Sequence, residues 1–564
     1  MLLAFVFVFG TLELVSLRFS SATWDEPGNL AAGYAALSAG DYRPAIEHPP
    51  LARLWAALPL TLMSDVKFNS QSLDAQRPEA VAFPGPFALG HRFLYETNAG
   101  DRVLYPARCM IVILGVLLGA MVFFWAAEWR GFRAGVIALT IYTLEPNLAA
   151  HGVLVTTDLA VTCFMFGTVY FLWRTARNAT GGNLAGLTLF FTSALLTKFS
   201  ALLLVPIVGL LLIALAWQRR TLTSGSVLRI GALLVAATWA GVWLAYGFRY
   251  APSATPGWLF SLHTYPPIVS AVPTLASIVG WIDGHHLLPN AYIQGFLHGQ
   301  GLLLGKTGFL AGKFSDEGWW YYFPAAILMK TPLAILALVF AGIWMWVKKR
   351  QVFNLDGEAF VVVPIIVFLG VAMTSDLNIG LRHVLPIYPF LILLAATAGD
   401  AIVSQRAQVG RLVLGAALVA GLAEGARAYP GNLAFFNTLV GGPSNGFRYL
   451  ADSNVDWGQD LKTLKRWMDR QGVDHVNLAY FGTAEPAFYG IRSTPIWGTT
   501  IPGLPSSRIG PPSLPGYVAI SVTLLDGVPF APAQRDFYKV LRDQAPVADL
   551  GGSIRVYWVE RPFW

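Results

Sequence analysis

Two adjacent carboxylates, Asp25 and Glu26, follow an apolar run, Met1 to Leu17, that is long enough to cross a bilayer. About one helical segment later come Glu47, His48 and a stiff Pro49-Pro50 turn leading into Leu51. Pro27 suits the first turn of a helix, where its missing N–H has no intrahelical role. The spacing predicts helices over Gly28–Ser38 and Leu51–Met63, both amphipathic enough to lie on a membrane surface. Carboxylates held at the lipid–water boundary beside a second acid/base or cation-binding group could move protons or bind cations. The same residues also read as an ordinary loop with two solvated acids.

Four further clusters bear chemistry. In the first, Glu145-Pro146-Asn147 leads to His151-Gly152 and Thr156-Thr157-Asp158, which places Asp158 at the mouth of an apolar helix. An acid there could be catalytic or could serve as a routine cap for the helix dipole. In the second, Lys198 interrupts a long apolar stretch, Leu184 to Trp217, as a snorkelling anchor or an anion site. In the third, Asp316 to Pro324 is rich in aromatics, which form an interfacial belt or a stacking surface, and Lys330 follows within an apolar helix, where it needs a partner or a wet cavity. In the fourth, Asp376 to His383 ends in Arg382 and His383. Arg382 offers a planar fork for phosphate oxygens. His383 reads equally as a metal ligand or as packing against aromatics.

Carboxylates with several cations at lipid depth suit a substrate with an anionic phosphate at the membrane surface, an apolar tail in the lipid and a polar group to transfer. A carboxylate base deprotonating an acceptor contributes typically ~10²–10⁴-fold, and cations on the departing phosphate supply the electrostatic stabilisation. No P-loop, GxSxG or HExxH motif stands in these loops, which argues against an ATPase, a serine hydrolase or a zincin. A transporter or flippase of lipid-linked glycans is the alternative. It calls for charges spread along a path across the membrane, whereas these cluster on one face.

The elements that must position these groups are apolar helices. Only 13% of the 564 residues are charged and 55% are hydrophobic, against about 25% charged in soluble domains, and mean hydropathy is +0.54. The 19 Trp and 20 Tyr suit interfacial belts. The net charge of +7 comes from Lys and Arg scattered in short loops, which argues for membrane topology and against nucleic acid. Cys109 and Cys163 lie in apolar segments and make no disulfide framework or metal motif.

The expected fold is an α-helical polytopic membrane protein with about eleven transmembrane helices, range about 11–13, and a small C-terminal α/β domain outside the membrane. The apolar runs are Met1–Leu17, Val103–Ala126, Ala134–Leu148, Leu159–Trp173, Leu184–Thr197, Phe199–Trp217, Leu228–Tyr246, Phe323–Trp346, Phe360–Met373, Val384–Ala398 and Leu412–Ala426. Basic residues at Arg130/Arg133, Arg174/Arg177, Arg219/Arg220, Lys348–Arg350 and Arg406/Arg411 fall on one face if the N-terminus is cytoplasmic. The long connections 18–102 and 247–322 and the tail from residue 429 then share the opposite, working face. The expected division is a catalytic membrane domain, 1–428, and an extracytoplasmic domain, 429–564. In the latter, Asp456–Gly472 reads as the start of an amphipathic helix, and Val476–Phe481, Tyr517–Leu525 and Ile554–Val559 read as strands.

These pieces, in this order, carry a resemblance. Trp24-Asp25-Glu26, Glu47-His48-Pro49-Pro50-Leu51, His151-Gly152 with Thr156-Thr157-Asp158, Thr197-Lys198-Phe199, Trp320–Pro324 with Lys330-Thr331-Pro332, Asn378–Pro386 and Asp452–Leu461 run over nearly the whole chain. The chain resembles the bacterial branch of the protein mannosyltransferase-like, polyprenyl-phosphate-dependent glycosyltransferases (glycosyltransferase family 39 and relatives, GT-C fold). These include lipid A aminoarabinose transferases and protein O-mannosyltransferases. The resemblance implies inverting transfer of one sugar from a polyprenyl-phosphate sugar to a protein, lipid or glycan acceptor on the non-cytoplasmic side of a bacterial inner membrane. It implies Asp25 as base, with Glu26 beside it and Asp158 in the same cavity. Lys198, Arg382 and His48 would lie toward the carrier phosphate, and Glu47, His151, Lys330 and His383 would line the cavity or meet the acceptor. Where the aminoarabinose transferases have a lysine before Pro-Pro, this chain has His48, which leaves His48 as a phosphate contact, a metal ligand with Glu47 or a turn former. No cofactor is certain, and a divalent metal stays open.

Overall fold

Apolar helices dominate the computed structural model, which describes residues 2–69, 73, 76, 78–82, 85–217, 223–302, 306–348, 357–405 and 407–562. The basic positions Arg219, Arg220, Lys349, Arg350 and Arg406 lie outside the described residues. Among the described residues, six helices are long and apolar enough to cross a membrane: Gly100–Arg130, Asp158–Arg177, Phe199–Trp217, Ser224–Ala245, Leu381–Gln405 and Gln408–Ala426. The other expected runs also fold as helices, but shorter, as at Leu2–Ser16, Phe132–Thr143 and Glu358–Ala372. The outer helices present side chains that only lipid solvates well, such as Ile213, Trp217, Leu228 and Val235. The interior of the array is aromatic, with buried Trp125 stacked on Trp173 at 5.8 Å.

Breaks between helices fall where backbone chemistry requires them. Helix Gly181–Leu195 stops before Lys198, whose backbone is extended, and the chain restarts at Phe199, as the reversal at Lys198 predicts. The expected run Ala134–Leu148 is cut after Thr143, because Glu145 caps a new short helix, Pro146–His151, accepting the Asn147 N–H. The expected run Phe323–Trp346 is two helices, Tyr322–Lys330 and Leu333–Lys348. Pro332 removes an N–H and disrupts the turn before it. Asn437 repairs the damage, donating from its amide to the carbonyls of Leu328 and Thr331.

Helix Glu26–Ala39 corrects the surface reading of the first connection. It is buried from Glu26 through Ala36 and packs against Leu51–Ala57 and Gly85–His91 inside the protein. Its small residues are the cause: a Cβ at Gly33 would stand 2.2 Å from the Arg53 carbonyl oxygen. Helix Leu51–Ala57 continues as a 3₁₀ turn, Leu58–Leu62.

A hairpin, β1 (Gly308–Leu310) and β2 (Lys313–Ser315), lies in the large connection. The tail holds a five-stranded sheet in the order β4-β3-β5-β7-β6, with β3 Val476–Ala479, β4 Ser493–Pro495, β5 Gly516–Ser521, β6 Ala548–Leu550 and β7 Ile554–Val559. β3 pairs in parallel with β4 and β5, whereas β7 is antiparallel to β5 and β6. Helix Leu461–Gln471 buries Leu461, Leu464 and Met468 and ends on Gly472 in the left-handed region. The expected strand Tyr517–Leu525 stops at Ser521, where a helical turn, Val522–Leu525, begins.

The first connection, the large connection and the tail meet at one end of the helices. Ser21 and Trp24 donate backbone hydrogen bonds to Gln459 and Trp457, and Ala311 donates to Tyr449. At the other end Arg133 pairs with Asp400 at 2.6 Å and Arg130 pairs with Glu358.

Candidate active site

Asp25, Asp158, Lys198 and Arg382 converge where those three segments meet. Asp158 opens helix Asp158–Arg177, and Lys198 sits in the extended break before Phe199. Arg382 lies in the 3₁₀ turn Leu381–Ile387 that starts helix Tyr388–Gln405. Lys198 Nζ donates to Asp158 Oδ1 at 2.6 Å. Arg382 Nη1 lies 3.0 Å from Asp25 Oδ2 and 3.6 Å from Asp158 Oδ2. The two acids differ in access: the Asp158 side chain is 1% exposed and neutralised by two cations, whereas that of Asp25 is 29% exposed. Burial raises the Asp25 pKa above the usual aspartate value, and the Arg382 charge opposes the rise.

Histidines surround this centre. His48, His151 and His383 each have a buried ring nitrogen without a protein partner. Burial and the Lys198 and Arg53 charges hold His48 well below the ordinary histidine range. Burial takes His151 down to about 4, so both rings are neutral at ordinary pH. The His151 ring stands edge-on to Trp457, 6.3 Å between centroids. Glu47 pairs with Arg53 at 2.6 Å, and Arg53 also donates to Asn29 Oδ1 at 2.9 Å and to the His48 carbonyl at 3.1 Å. The Glu47–His48 turn is therefore fixed by an arginine on the next helix. Glu47 and His48 are the pair that sequence offers to a divalent metal. Arg53 already engages that carboxylate, and among the described residues no three His, Cys, Asp or Glu side chains are grouped as ligands.

Two expected site residues have other work. The Glu26 carboxylate is fully buried and accepts five hydrogen bonds: two from Arg108 at 2.8 and 2.6 Å, one from the Val155 N–H and two from Thr23. It ties the first connection to helix Gly100–Arg130 and has no capacity left for catalysis. Lys330 is buried and donates to the carbonyls of Leu433 at 2.9 Å, Phe435 at 3.0 Å and Asn454. These bonds supply the partner a buried ammonium requires, and they tie a helix end to the tail rather than to a cavity.

Sequence reasoning missed Arg108, although an arginine inside the apolar run Val103–Ala126 is itself a signal. It also left the Asp452–Trp457 segment without a role. Ser453 Oγ accepts from Arg382 Nε at 3.2 Å, and the Trp457 ring lies 4.3 Å under the guanidinium.

The described residues thus hold an acid–cation centre at one end of an array of apolar helices, beneath a small α/β unit. Residues 99–244, which contain Asp158 and Lys198, match the family described as dolichyl-phosphate-mannose-protein mannosyltransferase. The match covers about a quarter of the chain and agrees with the resemblance that the ordered motifs carry. Among solved structures the chain is similar to ArnT from Cupriavidus metallidurans in the apo state, at 14% identity over 98% of this chain and 97% of that one, TM-score 0.32. It is similar to the same protein bound to undecaprenyl phosphate, at 13% identity over 98% and 97%, TM-score 0.30. It is also similar to the Archaeoglobus fulgidus oligosaccharyltransferase in complex with Zn and sulfate, at 14% identity over 75% of this chain and 52% of that one, TM-score 0.40. No curated protein matches the sequence.

Proposed function

We propose that the chain is an inverting membrane glycosyltransferase that moves one sugar from a polyprenyl-phosphate donor to a protein, lipid or glycan hydroxyl or amine. The observation that carries this reading is the division of labour between the two acids. Asp25 is reachable by an acceptor. Asp158 is buried and holds Lys198 and Arg382 together as a paired cation site.

Asp25 accepts the acceptor's proton as the acceptor oxygen or nitrogen attacks the anomeric carbon from the face opposite the phosphate. The bond from that carbon to the phosphate oxygen breaks, and the polyprenyl phosphate leaves with both bonding electrons. Arg382 and Lys198 stabilise the charge that develops on it, in a site too buried for water to screen. Asp158 positions the two cations and keeps them charged. The reading places the site on the outer face of a bacterial inner membrane, with the N-terminus inside. The Arg130 and Arg133 clusters at the opposite end of the helices support that orientation. Residues 1–428 form the catalytic membrane domain and 429–564 the extracytoplasmic domain in this reading.

Purified protein in nanodiscs, given a panel of polyprenyl-phosphate hexoses and pentoses with an envelope extract as acceptor, tests it. Release of free polyprenyl phosphate from one donor class is the expected result. Saturable binding of lipid-linked glycans without turnover of any donor would replace the transferase with a transporter.

A further inference from the structure

The segment that leads to Asp25 is held by the tail. Ser21 and Trp24 donate their backbone N–H groups to the carbonyls of Gln459 and Trp457, both at 2.9 Å. The Trp24 carbonyl accepts from Thr483 Oγ1 at 2.8 Å, and Ser21 Oγ donates to the Gly458 carbonyl at 2.9 Å. The tail therefore sets the approach to the base from one side, as Arg108 does through Glu26 from the other.

The same stretch of tail seats Arg382. Trp457 is 2% exposed, and its ring lies 4.3 Å from the guanidinium. Ser453 Oγ donates to the Ile379 carbonyl at 3.1 Å, which commits its proton and leaves a lone pair for Arg382 Nε at 3.2 Å. The face and the Nε edge of the guanidinium are thus occupied by the tail. Nη1 is left for Asp25 at 3.0 Å and Asp158 at 3.6 Å. The seat is close-fitting: a Cβ at Gly380 would stand 2.2 Å from Ser453 Oγ. It is also fixed from behind, since the Trp457 N–H donates to Gln459 Oε1 at 2.8 Å and Gln459 Nε2 donates to the Val455 carbonyl at 2.9 Å. Asn454 accepts the Leu381 N–H at 2.9 Å, which fixes the turn that carries Arg382.

Resting on the transferase reading, we propose that Trp457 and Ser453 are positioning residues for Arg382, so that the tail supplies one wall of the active site. Trp457 joins the two halves of the chemistry: its carbonyl holds the residue before the base, and its ring holds the cation that meets the phosphate. A flexible arginine loses rotamer freedom when it binds an anion, and a seat formed beforehand removes that loss. The negative face of the indole attracts the guanidinium while leaving its Nη1 edge unspent. Without the seat, Arg382 swings away from Asp25 and Asp158. Phosphate binding then weakens. Asp25 also loses the positive neighbour that lowers its pKa and keeps Asp158 and Glu47, which raise it.

The test compares Ser453→Ala, Trp457→Leu and Trp457→Phe in the full chain in nanodiscs, in the wild-type and Arg382→Gln backgrounds. Binding of a polyprenyl phosphate alone is measured, together with kcat/KM against pH for an accepted donor. Ser453→Ala and Trp457→Leu weaken polyprenyl-phosphate binding about three- to tenfold. Both move the acid limb of kcat/KM to higher pH, the direction of Arg382→Gln. Trp457→Phe keeps a ring face and stays closer to wild type than Trp457→Leu. In the Arg382→Gln background Ser453→Ala has no further effect. If Trp457→Leu does not fold, Ser453→Ala carries the test, because it removes one oxygen and the Ile379 carbonyl keeps the Asn454 amide as a donor. Wild-type affinity and an unmoved limb in folded Ser453→Ala overturn the proposal, even at a lower melting temperature, as do equal losses with and without Arg382. Equal effects of Leu and Phe at position 457 overturn the role of the ring. A wild type that neither turns over a donor nor binds polyprenyl phosphate removes the transferase reading, and the proposal with it. An active wild type whose variants show none of these shifts removes the proposal alone.

Discussion

The Asp25 carboxylate and the Arg382 guanidinium are 357 positions apart in sequence and 3.0 Å apart in space. In the proposed reaction Asp25 is the base and Arg382 holds the departing phosphate, so the same ion pair joins the group that accepts the proton to the group that receives the leaving charge. A phosphate that draws Arg382 toward itself releases Asp25, which couples donor binding to activation of the base.

Asp158 and Lys198 form a buried pair, and removing one partner strands the other. Asp158→Asn therefore destabilises the protein by about 3–5 kcal/mol, read as a lower unfolding temperature in detergent. Lys198→Met alone has a comparable effect, and the double variant recovers part of the loss because no uncompensated charge remains. Both single variants raise the donor KM.

Glu26→Gln lowers stability without taking part in chemistry. Its partner Arg108 is left buried with a weakened acceptor, at a cost of about 3–5 kcal/mol. The folded fraction, measured by size-exclusion chromatography and then assayed, keeps wild-type kcat/KM. Loss of kcat in well-folded Glu26→Gln would return Glu26 to the catalytic set.

The pH dependence follows from Asp25. A base works deprotonated, and burial raises its pKa above the usual 3.8. Activity therefore climbs with pH through a limb that lies above the ordinary aspartate range. Arg382 lowers this pKa, so Arg382→Gln moves the limb to higher pH as well as weakening donor binding. His151, at about 4, is neutral above pH ~5 and adds no limb there. The profile of kcat/KM from pH 4 to 9, wild type beside Arg382→Gln, reads both effects.

Lys330→Met loosens the tail. Three carbonyls from 433–454 lose their shared donor, each charge-assisted bond being worth about 1.5–3 kcal/mol. Faster limited proteolysis within residues 427–454 is the expected outcome, with tail release preceding loss of the membrane helices.

Legibility followed the physics of each signal. Apolar runs are set by composition, so the helices were readable, as was the reversal at Lys198. Pro332 was visible too, but the run through it hid a break that only Asn437, a hundred residues on, makes tolerable. Helix Glu26–Ala39 misled because its Gly and Ala residues look neutral in a hydrophobicity pattern, while in space they allow close packing. The convergence of Asp25, Asp158, Lys198 and Arg382 was legible from ordered motifs. The difference between Asp25 and Glu26 was not. Adjacent acids look alike until Arg108, on another helix, claims one of them. The motif Asp452–Leu461 was legible, but the left-handed backbone at Asp452 and the seat that Ser453 and Trp457 make for Arg382 belong to tertiary structure.

The most direct test of the account is single-turnover release of polyprenyl phosphate, with enzyme in excess over the accepted donor, comparing wild type with Asp25→Asn. The side chain is partly exposed and the amide oxygen can still accept from Arg382, so the variant folds. The account predicts a loss of about 10²–10⁴-fold in the chemical step at unchanged or tighter donor affinity. Release at the wild-type rate from folded Asp25→Asn would contradict it.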